Sequence, residues 1–289
     1  MYKMETKLML RIIGFSLFLM TLLSAGCATP RATKVPMDTI LYTQPNAIHQ
    51  TLLIFLPGIR GDGTEYARKG FVQAVRSRNL PVDLLAADAH FGYYAERSLI
   101  ERLRADVIAP AKIKGYKNIW LVGTSLGGFG SLLYSSQYPD DITGMVVLAP
   151  YLGSADVIAE ISAAAGLKRW QLGSSVQTDA ERRLWAWLKN YAVPDNGLPR
   201  LYLGYGRDDK FAAADALLAG VLPPRHVEVV SGGHNWRTWK KLWDRMLDAE
   251  FFNVSARHYG RQARNYCGAP LLSPRGQSRE FFASLLEGP

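Results

Sequence analysis

Apolar residues follow two alternating patterns along this chain. Short continuous runs give way to longer stretches in which apolar positions recur every three or four residues. The run Thr51-Leu52-Leu53-Ile54-Phe55-Leu56 stops at Pro57-Gly58. A continuous run of that length predicts a strand buried on both faces. Residues 38–43, 82–87, 118–122, 144–148, 201–205 and 226–230 read as further strands. Residues 64–79, 126–137 and 211–222 fall between them and read as helices. Ser98-Leu99-Ile100-Glu101 fits a capping box, followed by Leu103 and Val107 on one face. The last helix is expected over 235–252, with Trp236, Trp239, Trp243, Met246 and Leu247 at i, i+3, i+7, i+10 and i+11. Strands alternating with helices predict βαβ units, and so an α/β fold with a mostly parallel central sheet flanked by helices.

One interval breaks this rhythm. Residues 151–199 hold no strand but two helical stretches. Thr178-Asp179-Ala180-Glu181 fits a second capping box, and Leu184, Trp187, Leu188 and Tyr191 share one face. The interval reads as a small helical insertion over the C-terminal edge of the sheet. Open α/β sheets bind ligands at that edge, which makes the insertion a candidate lid. Its aromatic residues would equally serve to pack it onto the body.

Composition narrows the class. The chain has 289 residues, 48% hydrophobic and 20% charged, which excludes a disordered chain and requires a packed core. No repeat of a solenoid or propeller is present. The formal charge is +9, and without the net +2 of residues 1–26 it is +7. That charge is scattered, with a loose cluster at Arg257, Arg261 and Arg264. No basic stripe or recognition module accompanies it, so nucleic acid is not an expected partner.

The N-terminus reads as an address and not as fold. Lys3, Lys7 and Arg11 precede a mostly apolar run over 12–23, the length of a signal-peptide core and short for a membrane span. Leu22-Leu23-Ser24-Ala25-Gly26-Cys27 resembles the lipobox of bacterial lipoproteins, with Leu23 one place earlier than in that family. The resemblance implies that Cys27 is lipidated and becomes the new N-terminus. With Ala28 next, it implies an exported bacterial protein, lipid-anchored at the outer membrane and facing the periplasm. Cys267 is then left without an intramolecular partner, which excludes a disulfide-stapled fold.

The candidate chemistry gathers in loops that follow strands. Gly123-Thr124-Ser125-Leu126-Gly127 matches G-x-S-x-G between an apolar strand and an amphipathic helix. A serine there stands on a tight turn with its hydroxyl exposed at a helix N-terminus. The hydroxyl needs a base, normally a histidine oriented by a carboxylate. His226 begins an apolar strand and His258 lies in the basic tail. His234 sits in Ser231-Gly232-Gly233-His234-Asn235-Trp236, directly after the last strand, where a base could fold over the serine. The loop after the preceding strand, Gly206-Arg207-Asp208-Asp209, offers two aspartates.

With these motifs the chain resembles the α/β-hydrolase superfamily over 38–252. The resemblance is carried by Leu56-Pro57-Gly58-Ile59, the Gly123–Gly128 turn, Gly206–Asp209 and Gly232-Gly233-His234. In that family the acid and then the histidine follow the serine, and the acid lies three residues after the glycine. The resemblance therefore implies Ser125 as nucleophile, His234 as base and Asp209 as orienting acid. Asp208 would cap the next helix or pair with Arg207. The resemblance also implies an oxyanion hole made by the backbone N–H of Leu126 and that of Ile59, with Arg60 as the competitor. Many members have His-Gly where this chain has Pro57-Gly58.

The expected organisation is a signal peptide over 1–26, a linker over 27–37, a hydrolase domain over 38–252 with its helical cap at 151–199, and a basic extension over 253–289. The expected activity is ester hydrolysis without a cofactor, on a small-molecule or lipid ester. Acyl transfer by the same triad and a non-catalytic lipoprotein on a hydrolase scaffold are the alternatives. Asp88-Ala89-His90 lacks the further ligands of a metal site. Asp88, His90, Tyr93 and Tyr94, with Arg60 and Asp62, are expected near the pocket.

Overall fold

A computed structural model describes residues 30–43, 49–173 and 179–249. The segment expected to be a signal peptide, Cys27, Cys267, the arginine cluster, His258 and the expected extension all lie outside the described residues. The chain divides into two units between Ala32 and Thr33, and the second unit carries the described strands and helices and the candidate site. Among the described residues no helix is long and apolar enough to cross a membrane.

Seven strands form one sheet in the order β1-β3-β2-β4-β5-β6-β7. They are β1 (Thr39–Tyr42), β2 (Thr51–Leu56), β3 (Asp83–Ala87), β4 (Asn118–Thr124), β5 (Gly144–Leu148), β6 (Arg200–Gly206) and β7 (Val227–Val230). Only β1 runs antiparallel, pairing with β3 at one edge. The other strands are parallel, so their C-terminal ends open onto one edge of the sheet. All seven lie where the apolar runs predicted them.

Side chains alternate between two cores, as the pleat requires. Leu53 and Phe55 of β2 face an aromatic layer with Tyr66, Phe71 and Trp243. Leu52, Ile54 and Leu56 face a mostly aliphatic layer with Leu121, Phe129, Leu132 and Met145. The aromatic layer is covered by the helices Glu65–Arg68, Phe71–Ser77 and Trp236–Asp248. The aliphatic layer is covered by the helix Leu126–Gln137 and by the helical run from Leu99 to Ile113.

Three expectations need correction. The helix expected over 64–79 is two helices, because Gly70 takes the left-handed region at φ +80° and turns the chain between them. Ser98 caps nothing: its backbone is already helical at φ −98°, ψ −7°, and its hydroxyl is buried without a partner. The helix it precedes passes through a π-helical stretch at Leu103–Ile108. In the insertion the cap falls on Asp179, whose carboxylate accepts from the Arg182 N–H at 2.9 Å. Glu181 does not reach back to the cap. It turns inward and accepts from the Tyr151 hydroxyl at 3.0 Å and from the Ser154 N–H at 2.8 Å.

The insertion's helices are Ala155–Ala163 and Ala180–Leu188. Leu184, Trp185 and Leu188 join the same apolar cluster as the helix Leu126–Gln137, so this face is spent on packing to the body. The Trp185 indole donates to the Leu152 carbonyl at 2.7 Å.

Candidate active site

The serine turn is set by backbone geometry. Ser125 follows β4 directly and lies at φ +52°, ψ −116°, a conformation that costs a non-glycine residue about 1–3 kcal/mol. Its surroundings hold it there. The Ser125 N–H donates to the Leu148 carbonyl at 3.0 Å, and the Tyr151 N–H donates to the Ser125 carbonyl at 3.1 Å. The turn brings two backbones too close for side chains: a Cβ on Gly127 would run into the Leu56 carbonyl, and one on Gly123 into the backbone of Gly127. The glycines of the motif are therefore required by contact.

The histidine loop is positioned by the acid loop. Asp208 is exposed and accepts from the Gly232 N–H at 3.1 Å, while its own N–H donates to the Gly232 carbonyl at 3.1 Å. It straps the two loops together and neither caps the next helix nor pairs with Arg207, contrary to expectation. Asp209 points inward with its carboxyl shielded from solvent. Both of its oxygens lie 2.9 Å from His234 Nδ1, and one also accepts from the Phe211 N–H at 2.9 Å. His234 Nε2 lies 2.9 Å from Ser125 Oγ. Phe211 and Trp239 meet the imidazole edge-to-face, each at 4.9 Å between centroids, and fix its plane.

For Ser125 to act as a nucleophile this arrangement needs one protonation pattern. An ionised carboxylate only accepts, so Nδ1 of His234 carries the proton it shares with Asp209. In the neutral ring Nε2 then holds a lone pair, which accepts the Ser125 hydroxyl proton. Ser125 is buried, with 8% of the residue exposed.

Two backbone segments flank the hydroxyl. Leu126 opens the helix Leu126–Gln137, and its N–H is one of those that helical bonding leaves unpaired. Gly58 passes beside Ser125, since a Cβ there would stand 3.7 Å from the Ser125 Cβ. Gly58 to Gly61 is a tight turn, closed by the Gly61 N–H on the Gly58 carbonyl at 3.0 Å. Ile59 and Arg60 are its central residues, with Ile59 partly buried and Arg60 exposed.

The remaining candidates have structural partners. His90 caps the helix Phe91–Ala95, accepting from the Gly92 N–H at 3.0 Å. Asp88 accepts from the Gly63 N–H at 3.1 Å, and Asp62 from the Thr64 N–H at 2.7 Å. The Tyr93 hydroxyl donates to the Lys34 carbonyl at 2.9 Å. The Tyr94 hydroxyl donates to the Leu126 carbonyl at 3.0 Å, under the start of the serine's helix. His226 lies against Tyr202 at 4.3 Å, and burial lowers its pKa. Among the described residues no group of three His, Cys, Asp or Glu side chains could hold a metal.

Two side chains near the site escaped the sequence reading. Asp215 is fully buried on the helix Ala212–Ala219, and both of its oxygens lack a hydrogen-bond partner. Burial pushes its carboxyl well above the usual range, and the charge of Asp209 adds to the shift. Tyr66 is also fully buried, and its hydroxyl reaches the backbone at the ends of the two strands beside the serine turn. Neither belongs to a motif. An aspartate amid alanines and leucines at 212–219 was the one visible signal.

The sheet order, the serine turn after β4 and the loops after β6 and β7 make this the α/β-hydrolase fold. A family model described as the alpha/beta hydrolase fold matches residues 94–181. An acetyl esterase of Caldicellulosiruptor saccharolyticus is 24% identical over 172 residues, which are 53% of this chain and 61% of that protein. Among solved structures, a ferulic acid esterase superposes with a TM-score of 0.50 at 13% identity, covering 73% of this chain and 96% of that one. S-formylglutathione hydrolase from Staphylococcus aureus superposes with a TM-score of 0.49 at 14% identity, covering 76% and 97%.

Proposed function

We propose that this chain is a serine hydrolase that cleaves carboxylic esters through an acyl-enzyme on Ser125. The observation that carries the reading is the continuous hydrogen-bonded line from Ser125 Oγ through His234 to Asp209, with 2.9 Å at each step. Ser125 Oγ attacks the ester carbon while His234 Nε2 takes its proton. The tetrahedral oxyanion is received by the N–H groups of Leu126 and Ile59. His234 then gives its proton to the leaving alkoxide, and the acyl group stays on Ser125. Water, deprotonated by His234, attacks the acyl-enzyme; the acyl–Oγ bond breaks as His234 returns that proton to Ser125 Oγ, and the acid is released. Asp209 keeps the imidazole in the required tautomer and offsets its charge when it is protonated. No cofactor enters this scheme. The partial likeness to an acetyl esterase supports an ester substrate. The lipobox-like segment supports tethering through Cys27 to the periplasmic face of an outer membrane.

The test is hydrolysis of p-nitrophenyl esters with acyl chains of two to sixteen carbons, comparing the wild type with Ser125→Ala. The wild type is expected to turn over and the variant to lose roughly 10⁴-fold or more in kcat, with an unchanged circular dichroism spectrum. Turnover that survives in Ser125→Ala would overturn the assignment.

A further inference from the structure

The hydroxyl of Tyr66 stands between two adjacent strands at the point where both leave the sheet. It donates to the carbonyl of Leu56, the last residue of β2, at 2.6 Å. It accepts the N–H of Thr124, the last residue of β4, at 3.0 Å. The Thr124 hydroxyl lies 3.2 Å away. The strands pair in register up to Leu56 with Gly123, and the phenol is interposed one residue beyond. An N–H and a C=O that would otherwise approach each other are held apart by one oxygen atom.

The phenol itself is immobilised. Phe55 stacks on it at 4.5 Å, and Phe71 and Trp236 meet it edge-on at 5.2 and 5.5 Å. Trp236 is two residues beyond His234. One side chain thus touches the end of the strand before the Gly58 turn, the residue before Ser125, and the helix that carries the histidine loop. Burial pushes its phenol pKa above the usual range, so it stays a neutral donor and acceptor.

We propose that the Tyr66 hydroxyl is a positioning group that sets the gap between the two segments supplying the oxyanion donors, Leu126 on one side and Ile59 on the other. The inference rests on the functional reading above. Removing the oxygen lets the Leu56 and Thr124 backbones close together or leaves both groups unpaired. Closure shifts the Gly58 turn relative to Ser125, and unpaired groups leave the gap between them unfixed. Donor placement matters most when the oxyanion forms, so the loss falls on kcat and spares ground-state binding.

The experiment compares wild type, Ser125→Ala, Tyr66→Phe and Phe55→Leu on p-nitrophenyl acetate. It also measures the inhibition constant of a trifluoromethyl ketone, whose adduct with Ser125 places an oxyanion between the donors. Tyr66→Phe is expected to lower kcat by about 10- to 100-fold with KM unchanged, and to weaken the inhibitor by a similar factor. Phe55→Leu disturbs the same packing but keeps the hydroxyl. It is expected to lower the melting temperature at least as far while kcat stays within about twofold.

If Tyr66→Phe does not fold, 4-aminophenylalanine at that position serves instead. Its nitrogen is a poor acceptor, so kcat and inhibitor affinity are expected to fall together by about threefold or more. A kcat within twofold of wild type for the folded position-66 variant overturns the inference. So does an equal loss in Phe55→Leu. In either case an inactive Ser125→Ala leaves the functional reading standing. A wild type that neither turns over nor binds the ketone overturns both.

Discussion

On one face of the sheet Phe55, Tyr66, Phe71 and Trp243 interlock as rings, with Phe71 and Trp243 stacked at 5.6 Å. On the other face aliphatic Leu52, Ile54, Leu121, Leu132 and Met145 pack together, in a cluster that also holds ring pairs such as Phe129 with Tyr151 at 5.6 Å. From each face one buried tyrosine hydroxyl reaches the serine turn. Tyr66, from the aromatic face, bridges two strand ends. Tyr94, from the aliphatic face, bonds the single carbonyl of Leu126. The difference shows how the two layers share the work. Rigid rings with few rotamers and directional edges fix loops relative to one another, whereas aliphatic packing seats one helix and tolerates volume-conserving change.

Three substitutions test that contrast, beginning with the largest effect. Trp243→Ala opens a void beneath Phe55 and Phe71 and removes the indole's bond to the Phe71 carbonyl. It should cost about 3–5 kcal/mol in urea unfolding. A loss below about 1 kcal/mol would mean the ring cluster is not what holds that face.

Asp215→Asn comes next, on the aliphatic face. Its native carboxyl titrates above the unfolded value, so the folded chain binds more protons than the unfolded chain between the two. Stability therefore falls as pH rises above about 4, and the fall ends only when Asp215 ionises in the folded state. The amide cannot ionise, so the variant should gain melting temperature over wild type progressively as pH rises above about 4, until the native carboxyl ionises. Parallel melting curves across that range would show that Asp215 carries no such penalty.

Tyr94→Phe is the smallest. It leaves the Leu126 carbonyl without the phenol and should cost about 0.5–1.5 kcal/mol. Ester turnover should stay within about threefold of wild type, since no second strand depends on that hydroxyl. A kcat loss matching that of Tyr66→Phe would erase the distinction between the two faces.

Much of the architecture was legible in advance, for physical reasons. A parallel strand buried on both faces is written as an unbroken apolar run, and Thr51–Leu56 and Gly144–Leu148 fall on such runs without offset. The serine turn was legible because only glycine fits where the Gly127 and Leu56 backbones meet. Local capping was less legible. Ser98-Leu99-Ile100-Glu101 has the letters of a capping box, but the preceding chain delivers Ser98 already in a helical conformation. Gly70 was hidden inside a pattern that reads as one helix, because apolar spacing continues on both sides of it.

The sequence by itself determined the order of strands and helices, the turn that exposes Ser125 and the loops that offer His234 and an aspartate. These follow from side-chain size, periodicity and the conformational freedom of glycine, all of which act over a few residues. The family spacing already pointed to Asp209 as the partner of the imidazole, but only the tertiary structure decided that Asp208 straps Gly232 from the solvent side. It alone brought Tyr66 to residues 10 and 58 positions away and buried Asp215 behind Asp209. Those outcomes depend on which backbone groups are left unpaired once the sheet has closed, and no local pattern records that.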